Sequence, residues 1–311
     1  SIFILPIALF PLQVNADTED RIVYTKCDIN QYEDQLAPDW YLVEEGQVPE
    51  KCIIEEVPEQ KIYLATNDTQ YANQWALKNT GQTILGQSGT VGLDIGFEVA
   101  YPNIRNIPKG NTKIALIDTG VTIIPETSGQ ILPGYNVIND TNNATDDNGH
   151  GTFISSVIVS TVNNNQGIAG VNDRASILPI KILGADGSGL LSDLIKGIQY
   201  AIDQNVSIIN LSLASTSYTS ALNTIIEQAY QRGIIIIAAS GNAGLTITTP
   251  TVSPLNNDGN RNWVIGVGST DNRGTRMSYS NEGLGVDVLA PGENIIGYNH
   301  QNVLQYRSGT S

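Results

Sequence analysis

Ile234-Ile235-Ile236-Ile237-Ala238-Ala239 runs without a polar break into Ser240-Gly241-Asn242. A short, unbroken β-branched run stopped by a turn predicts a strand buried on both faces, as in a parallel sheet covered by helices on each side. Just upstream, Ser220 opens a helical stripe of Leu222, Ile225, Ile226 and Ala229, which Gly233 ends, and residues 206–213 are β-rich. Before them Ser192 is placed as the cap of another helix, with Leu194, Ile195, Ile198, Ala201 and Ile202 on one face. Residues 177–183 and 113–117 read as strands, the second stopped by Asp118-Thr119-Gly120, and residues 263–268 and 286–290 as two more. Strand, loop and helix alternate from about Asn67 onward. The expected fold is α/β: a doubly wound, mostly parallel sheet flanked by helices. Ligands of such sheets sit just beyond the carboxyl ends of the strands, where Asp118 and Ser240-Gly241-Asn242 both fall.

Composition narrows the function classes. The chain has 311 residues, 41% hydrophobic and 15% charged, enough to bury a large core. A formal charge of −15 argues against a nucleic-acid partner, which needs clustered Lys and Arg to displace counterions. Much of that charge is local: residues 17–61 hold thirteen acidic and four basic side chains. A short segment with most of the net charge reads as a separate unit, here 17–66, ahead of a main domain at 67–311.

The first residues bear on the compartment. Residues 2–14 form an apolar run broken by Pro6 and Pro11, too short to span a bilayer. The run ends at Val14-Asn15-Ala16, followed by Asp17-Thr18-Glu19-Asp20. A small residue closing an apolar stretch is a signal-peptidase pattern, so residues 1–16 are expected to be part of a signal peptide and the protein to be secreted. No other stretch is apolar enough for a membrane span. Cys27 and Cys52, the two cysteines, lie in the acidic segment. In an exported protein they are expected to pair as a disulfide.

Only two histidines are available for acid–base work. His150 stands in Asp147-Asn148-Gly149-His150-Gly151-Thr152, between glycines and at the start of a helix-like stretch, which suits a general base. His300, between Asn299 and Gln301, reads as a solvated surface side chain. Asp118 alone could cap a turn. As Asp-Thr-Gly it also matches aspartic peptidases, but those need two such motifs, and this chain has one. Asn242 could be a turn residue or an amide donor to a developing oxyanion. Ser308-Gly309-Thr310-Ser311 alone is an ordinary loop composition. No His-Glu-x-x-His motif supports a metallopeptidase.

Taken together, Asp118, Asn148-Gly149-His150-Gly151-Thr152, Ser240-Gly241-Asn242 and Gly309-Thr310-Ser311 resemble the subtilisin-like serine peptidases, the subtilase or S8 family. The chain order Asp, His, Asn, Ser is that family's. The likeness covers about residues 67–311, including Asn67-Asp68-Thr69, Gln74-Trp75, Leu77-Lys78-Asn79-Thr80-Gly81-Gln82, Ser278-Tyr279-Ser280-Asn281 and Ala290-Pro291-Gly292. The resemblance implies a secreted endopeptidase acting on proteins or peptides. Ser311 would be its nucleophile, His150 the general base, Asp118 the residue orienting it, and Asn242 the oxyanion donor. It also implies a substrate strand paired with Gly187, Ser188, Gly189 and with Ser212, Leu213, Ala214. Ala239, Ser240 and Gly241 would wall the primary specificity pocket.

Two departures from the family pattern stand out: Phe153-Ile154-Ser155-Ser156 after His-Gly-Thr, and Leu213-Ala214-Ser215 where a glycine-containing turn is usual. Residues 17–66 are expected to be a pro-segment, shorter than the family's usual inhibitory pro-domain and with cysteines atypical of it. No cofactor is required for the chemistry. The polar loops holding Asp140, Asp146 and Asp147, and Asn164, resemble regions that bind structural calcium. A catalytically silent, subtilisin-like binding or scaffold module is the alternative reading. In the family a helix begins at the nucleophile, and nothing follows Ser311 in this sequence. The sequence therefore reads as a fragment truncated at the catalytic serine, its C-terminal part missing, and is expected to be inactive as given.

Overall fold

A computed structural model describes residues 66–216, 218–250, 252–257 and 262–311, and the backbone of four strands nearer the N-terminus. The chain divides into two compact units, Ser1–Ile62 and Tyr63–Ser311. In the first, Asp34–Ala37, Trp40–Glu44, Ile22–Lys26 and Ile53–Glu56 pair in that order as an antiparallel sheet. The apolar run at 2–14 with Ala16, and both Cys27 and Cys52, lie outside the described residues.

The second unit is organised by a seven-stranded sheet. Its strands in chain order are β1 (Lys113–Asp118), β2 (Tyr135–Asn136), β3 (Ser176–Lys181), β4 (Ile208–Leu211), β5 (Ile235–Ala239), β6 (Val264–Thr270) and β7 (Val288–Pro291). Their spatial order is β7-β6-β5-β4-β1-β3-β2, and every pairing is parallel. Winding proceeds one way from β1 to β3 and β2, and the other way from β4 to β7. The crevice at the end of β1 and β4 is thus the topological switch point.

Four helices accompany the sheet: α1 (Phe97–Ile104), α2 (His150–Val159), α3 (Leu191–Asp203) and α4 (Ser220–Gln231). The alternation of β1 sends Ala115 and Ile117 to one face and Ile114 and Leu116 to the other, and all four are buried. The first pair packs with Leu194, Ile198 and Ile202 of α3 and with Leu222 and Ile226 of α4. The second packs with Val159 of α2 and with Ile177. The doubly wound α/β expectation therefore holds.

Two local expectations are corrected. Ser192 does not cap α3: the helix starts at Leu191, and extended Leu190 precedes it without a side-chain cap. In α4 the cap is Thr219, whose hydroxyl accepts from the Leu222 N–H at 3.2 Å. The 234–239 run is not buried on both faces throughout. Helix α2 lies over β1 and β3, so Ile235 of β5 remains 49% exposed and Ile265 of β6 40%.

Beyond β7 the chain forms a hairpin of β8 (Ile295–Tyr298) and β9 (Leu304–Arg307). It packs on α2, where Gly297 lies against the Phe153 ring and the Tyr298 N–H donates to Ser156 Oγ at 2.9 Å.

Candidate active site

Asp118 ends β1 with no exposed surface. Burying a carboxylate is costly unless its oxygens find donors. The Thr119 N–H donates to Asp118 Oδ1 at 2.7 Å, and His150 Nδ1 lies 2.8 and 3.0 Å from the two oxygens. His150 can approach so closely because it is the first residue of α2 and has glycines on either side. Gly149 has φ +100°, and a β-carbon there would meet His300 Nδ1 at 2.6 Å. A β-carbon on Gly151 would strike the Gly120 carbonyl at 2.1 Å.

The start of α2 is held by a residue the sequence suggested only for calcium. Asp146, 4% exposed, accepts from the backbone N–H groups of Asn148, Gly149 and Thr152, at 3.0, 2.9 and 2.9 Å. The hydroxyls of Thr119 and Thr152 also donate to it, at 2.8 and 2.6 Å. Burial alone would raise its carboxyl pKa, but these donors outweigh burial and hold it below the usual value. On the other side of the turn Lys181, 5% exposed, gives its ammonium to the Thr119 and Leu183 carbonyls and to Asp147 Oδ1, each at 2.7 Å. For His150, burial disfavours the imidazolium, while the hydrogen bond and charge of Asp118 favour it. The net effect is a raised pKa, opposed in part by the positive charge of Arg307.

Asn242 follows β5 across the crevice. Its Oδ1 accepts from the Thr310 N–H at 2.9 Å and from the Thr310 hydroxyl at 3.0 Å, and that hydroxyl accepts from the Gly241 N–H at 3.1 Å. With Oδ1 engaged, the amide N–H groups are the face left for a ligand. His150, Asn242, Gly309 and Ser311 line one cavity of about 350 Å³. Ser311 Oγ donates to the Ser212 carbonyl at 3.3 Å, and no hydrogen bond joins it to His150. Asp118 and His150 therefore form one bonded half of the site, and Asn242 and the Ser311 loop form the facing half.

Of the residues expected to hold substrate, seven line two other hollows, and Ser240 and Gly241 line neither. Gly187, Ser188, Gly189, Ser212, Leu213 and Ala214 line a groove of about 460 Å³ that also reaches His150. Ala239 lies in a smaller hollow, about 170 Å³, shared with Ser212 and Ser311. Ser240 is fully buried, its carbonyl accepting from Asn281 Nδ2 at 2.8 Å. A β-carbon on Gly241 would sit 3.5 Å from the Ala214 methyl, so Gly241 and Ala214 face each other closely.

The residues considered for calcium do not converge. Asp146 is taken by backbone donors, Asp147 by Lys181, and Asp140 by the Tyr135 hydroxyl. Asn164 instead donates to Glu126 at 2.9 Å, and its N–H donates to Asp68 at 3.2 Å. Glu126 and Asp68 are 4% and 5% exposed; burial, eased by the Asn164 hydrogen bond, raises the Glu126 pKa, and Asp68 adds to the rise. Two adjoining buried carboxylates are oxygen donors that fit a calcium ion. No group of three or more His, Cys, Asp or Glu poised to hold a metal occurs among the described residues. None of their helices is long and apolar enough to cross a membrane.

His300 is not a solvated surface side chain: its Nδ1 is buried without a hydrogen-bond partner, against Gly149. The β8–β9 hairpin folds back on α2 from far along the chain, a contact with no local sequence signal. Arg307 and Lys181 were not among the residues singled out in the sequence, and the capping role of Asp146 and the aiming role of Thr310 were not read there either. Of these, only Asp146 had a findable signal, as a side-chain acceptor shortly before a helix start.

A family model described as Peptidase S8, subtilase family, matches residues 109–311. The chain is 34% identical over 257 residues to the cell wall-associated protease of Bacillus subtilis (strain 168), covering 82% of this chain and 27% of that protein. It is 36% identical over 209 residues to the thermophilic serine proteinase of Bacillus sp. (strain AK1), covering 66% of this chain and 50% of that protein. Both relatives are thus matched over half their length or less. The crystal structure of a cold adapted subtilisin-like serine proteinase superposes with a TM-score of 0.60 at 27% identity, covering 76% of this chain and 78% of that one.

Asp146 has a pH signature. A carboxyl whose folded pKa is lowered stabilises the fold above its ordinary value, and that stability is lost as pH falls through the folded value. Asp146→Asn replaces one acceptor oxygen by a donor facing N–H groups. Urea unfolding near neutral pH should show a loss of about 1–3 kcal/mol, with a shallower decline on acidification than the unaltered protein. Equal stabilities at neutral pH would contradict the capping role.

Proposed function

The chain belongs to the subtilase family, and on that premise we propose that it is a secreted serine endopeptidase with Asp118, His150 and Ser311 as its triad. The observation that carries the reading is the pair of short contacts, 2.8 and 3.0 Å, from His150 Nδ1 to the buried Asp118 carboxylate. A carboxylate there keeps the proton on Nδ1 and leaves Nε2 as a base. Ser311 Oγ, turning from the Ser212 carbonyl, gives its proton to Nε2 and attacks the scissile carbonyl. The oxyanion receives the Asn242 amide. His150 then protonates the leaving amine, and water, activated by the same imidazole, releases the acyl group from Ser311. The acyl side of the substrate adds as a strand along Gly187, Ser188, Gly189 and Ser212, Leu213, Ala214, with Ala239, Ser240 and Gly241 beside its side chain.

Export through residues 1–16, a pro-segment at 17–66 closed by Cys27 and Cys52, and a structural calcium ion at Asp68, Glu126 and Asn164 belong to the same proposal. Calcium would supply charge balance to buried carboxylates, away from the chemistry. A chelator should lower the melting temperature, and an unmoved transition removes the ion from the proposal.

The decisive test of function uses the full-length, processed protein and a fluorophosphonate probe. Labelling should occur and vanish in Ser311→Ala. Asn242→Ala should lower kcat by about 10²–10³, the size known for the same donor in a subtilisin. A full-length protein that neither labels nor hydrolyses casein would instead support the silent binding module.

A further inference from the structure

Arg307 is a cation without a carboxylate. Lys181 and Arg276, in the same unit, pair with Asp147 and Glu282, but no acidic side chain among the described residues pairs with Arg307. The guanidinium is nonetheless held in place. Its carbon lies 5.3 Å from the centroid of the Phe153 ring. The Gln305 amide oxygen, in the orientation that satisfies both groups, accepts from Nη2 at 2.8 Å and Nε at 2.5 Å. Nη1 is left with its N–H groups unclaimed. Arg307 also lines the cavity of about 350 Å³ that holds His150, Asn242 and Ser311, and its charge is felt at His150.

The side of the scissile bond follows from the two hollows that meet at His150. The groove of Gly187, Ser188, Gly189 and Ser212, Leu213, Ala214 takes the acyl side in the proposed mechanism. The cavity of Phe153 and Arg307 shares only His150 with that groove and holds Asn242 and Ser311 besides, so it is assigned the other side of the scissile bond, where the leaving amine departs. We propose that Arg307 is a specificity-determining residue that binds a substrate carboxylate on the leaving-group side of the scissile bond. The inference rests on the peptidase reading of the same site. Residues 67–311 carry a net charge of −6, which repels acidic peptides at a distance, so the selection acts at contact, through a planar fork already pre-positioned by Phe153 and Gln305. The carboxylate is either an Asp or Glu side chain just after the cleaved bond or the peptide's own C-terminus.

Internally quenched peptides that differ only in Glu, Ala or Lys at the first two positions after the cleaved bond, with distant amidated ends, test the side-chain source. Peptides with Ala at both positions, ending there as free acid or amide, test the terminal source. For the full-length processed protein, kcat/KM should favour one carboxylate series over its neutral partner by about 2- to 5-fold at low salt, and less as salt screens the pair. Arg307→Gln should bring the ratio to about one, Arg307→Glu should favour the Lys peptide, and Arg307→Lys should keep part of the preference. Fluorophosphonate labelling reports that each variant is folded, and a variant that does not label is replaced by the next. Cleavage with no carboxylate preference in either series, or a preference that survives Arg307→Gln, overturns the inference and leaves the peptidase reading standing. Absence of both cleavage and labelling in the unaltered protein overturns both.

Discussion

A carboxylate with no exposed surface and an imidazole at the first residue of a helix meet at the end of the central strand, and the rest of the site is arranged around that contact. Asp118 must have donors on its oxygens to be tolerated there, and His150 must be held by something other than its own exposed edge. The protein meets both needs with a second buried carboxylate. Asp146 takes three backbone N–H groups at the start of α2 and the Thr119 hydroxyl beside Asp118, so strand end and helix start share one anchor. Lys181 ties the same turn to β3 from below.

The facing half of the site is assembled by a different rule. Asn242 is aimed by Thr310, a neighbour of Ser311, through two hydrogen bonds to a single amide oxygen. The proposed nucleophile and oxyanion donor are therefore aligned together, by residues 68 positions apart in the chain. The loop of Asn242 ends parallel β5, whereas that of Thr310 ends β9 of the antiparallel hairpin, so the central sheet and the hairpin are joined at the site. The β8–β9 hairpin then closes over α2 and brings Arg307 and His300 to the rim.

What could be read beforehand follows from the range of each interaction. Apolar runs such as 234–239 announce strands because burial in a covered sheet is a local compositional demand, and the Leu194–Ile202 and Leu222–Ala229 stripes announce the helices that cover it. Asp118, His150, Asn242 and Ser311 were legible as a constellation rather than singly, since each lies in a motif that alone describes an ordinary turn. The failures share a cause. Ser192 was misplaced because extended Leu190 starts α3 without a capping side chain, leaving nothing local to mark the boundary. His300 and Arg307 gain their positions from the packing of a distant hairpin, and Ile235 keeps half its surface because α2 covers other strands. Tertiary contacts of that span leave no periodicity behind.

The most direct test of the Asp118–His150 contact is the pH dependence of kcat/KM in the full-length processed protein, compared with Asp118→Asn. The imidazole must be neutral to act as a base, and its pKa is raised, so the acid limb of the unaltered enzyme should lie above the ordinary histidine value. Asp118→Asn, with the tautomer no longer held, should lower kcat by about 10⁴ and move that limb down. An acid limb at or below the ordinary histidine value, together with an Asp118→Asn enzyme of undiminished rate, would contradict the role given to this pair.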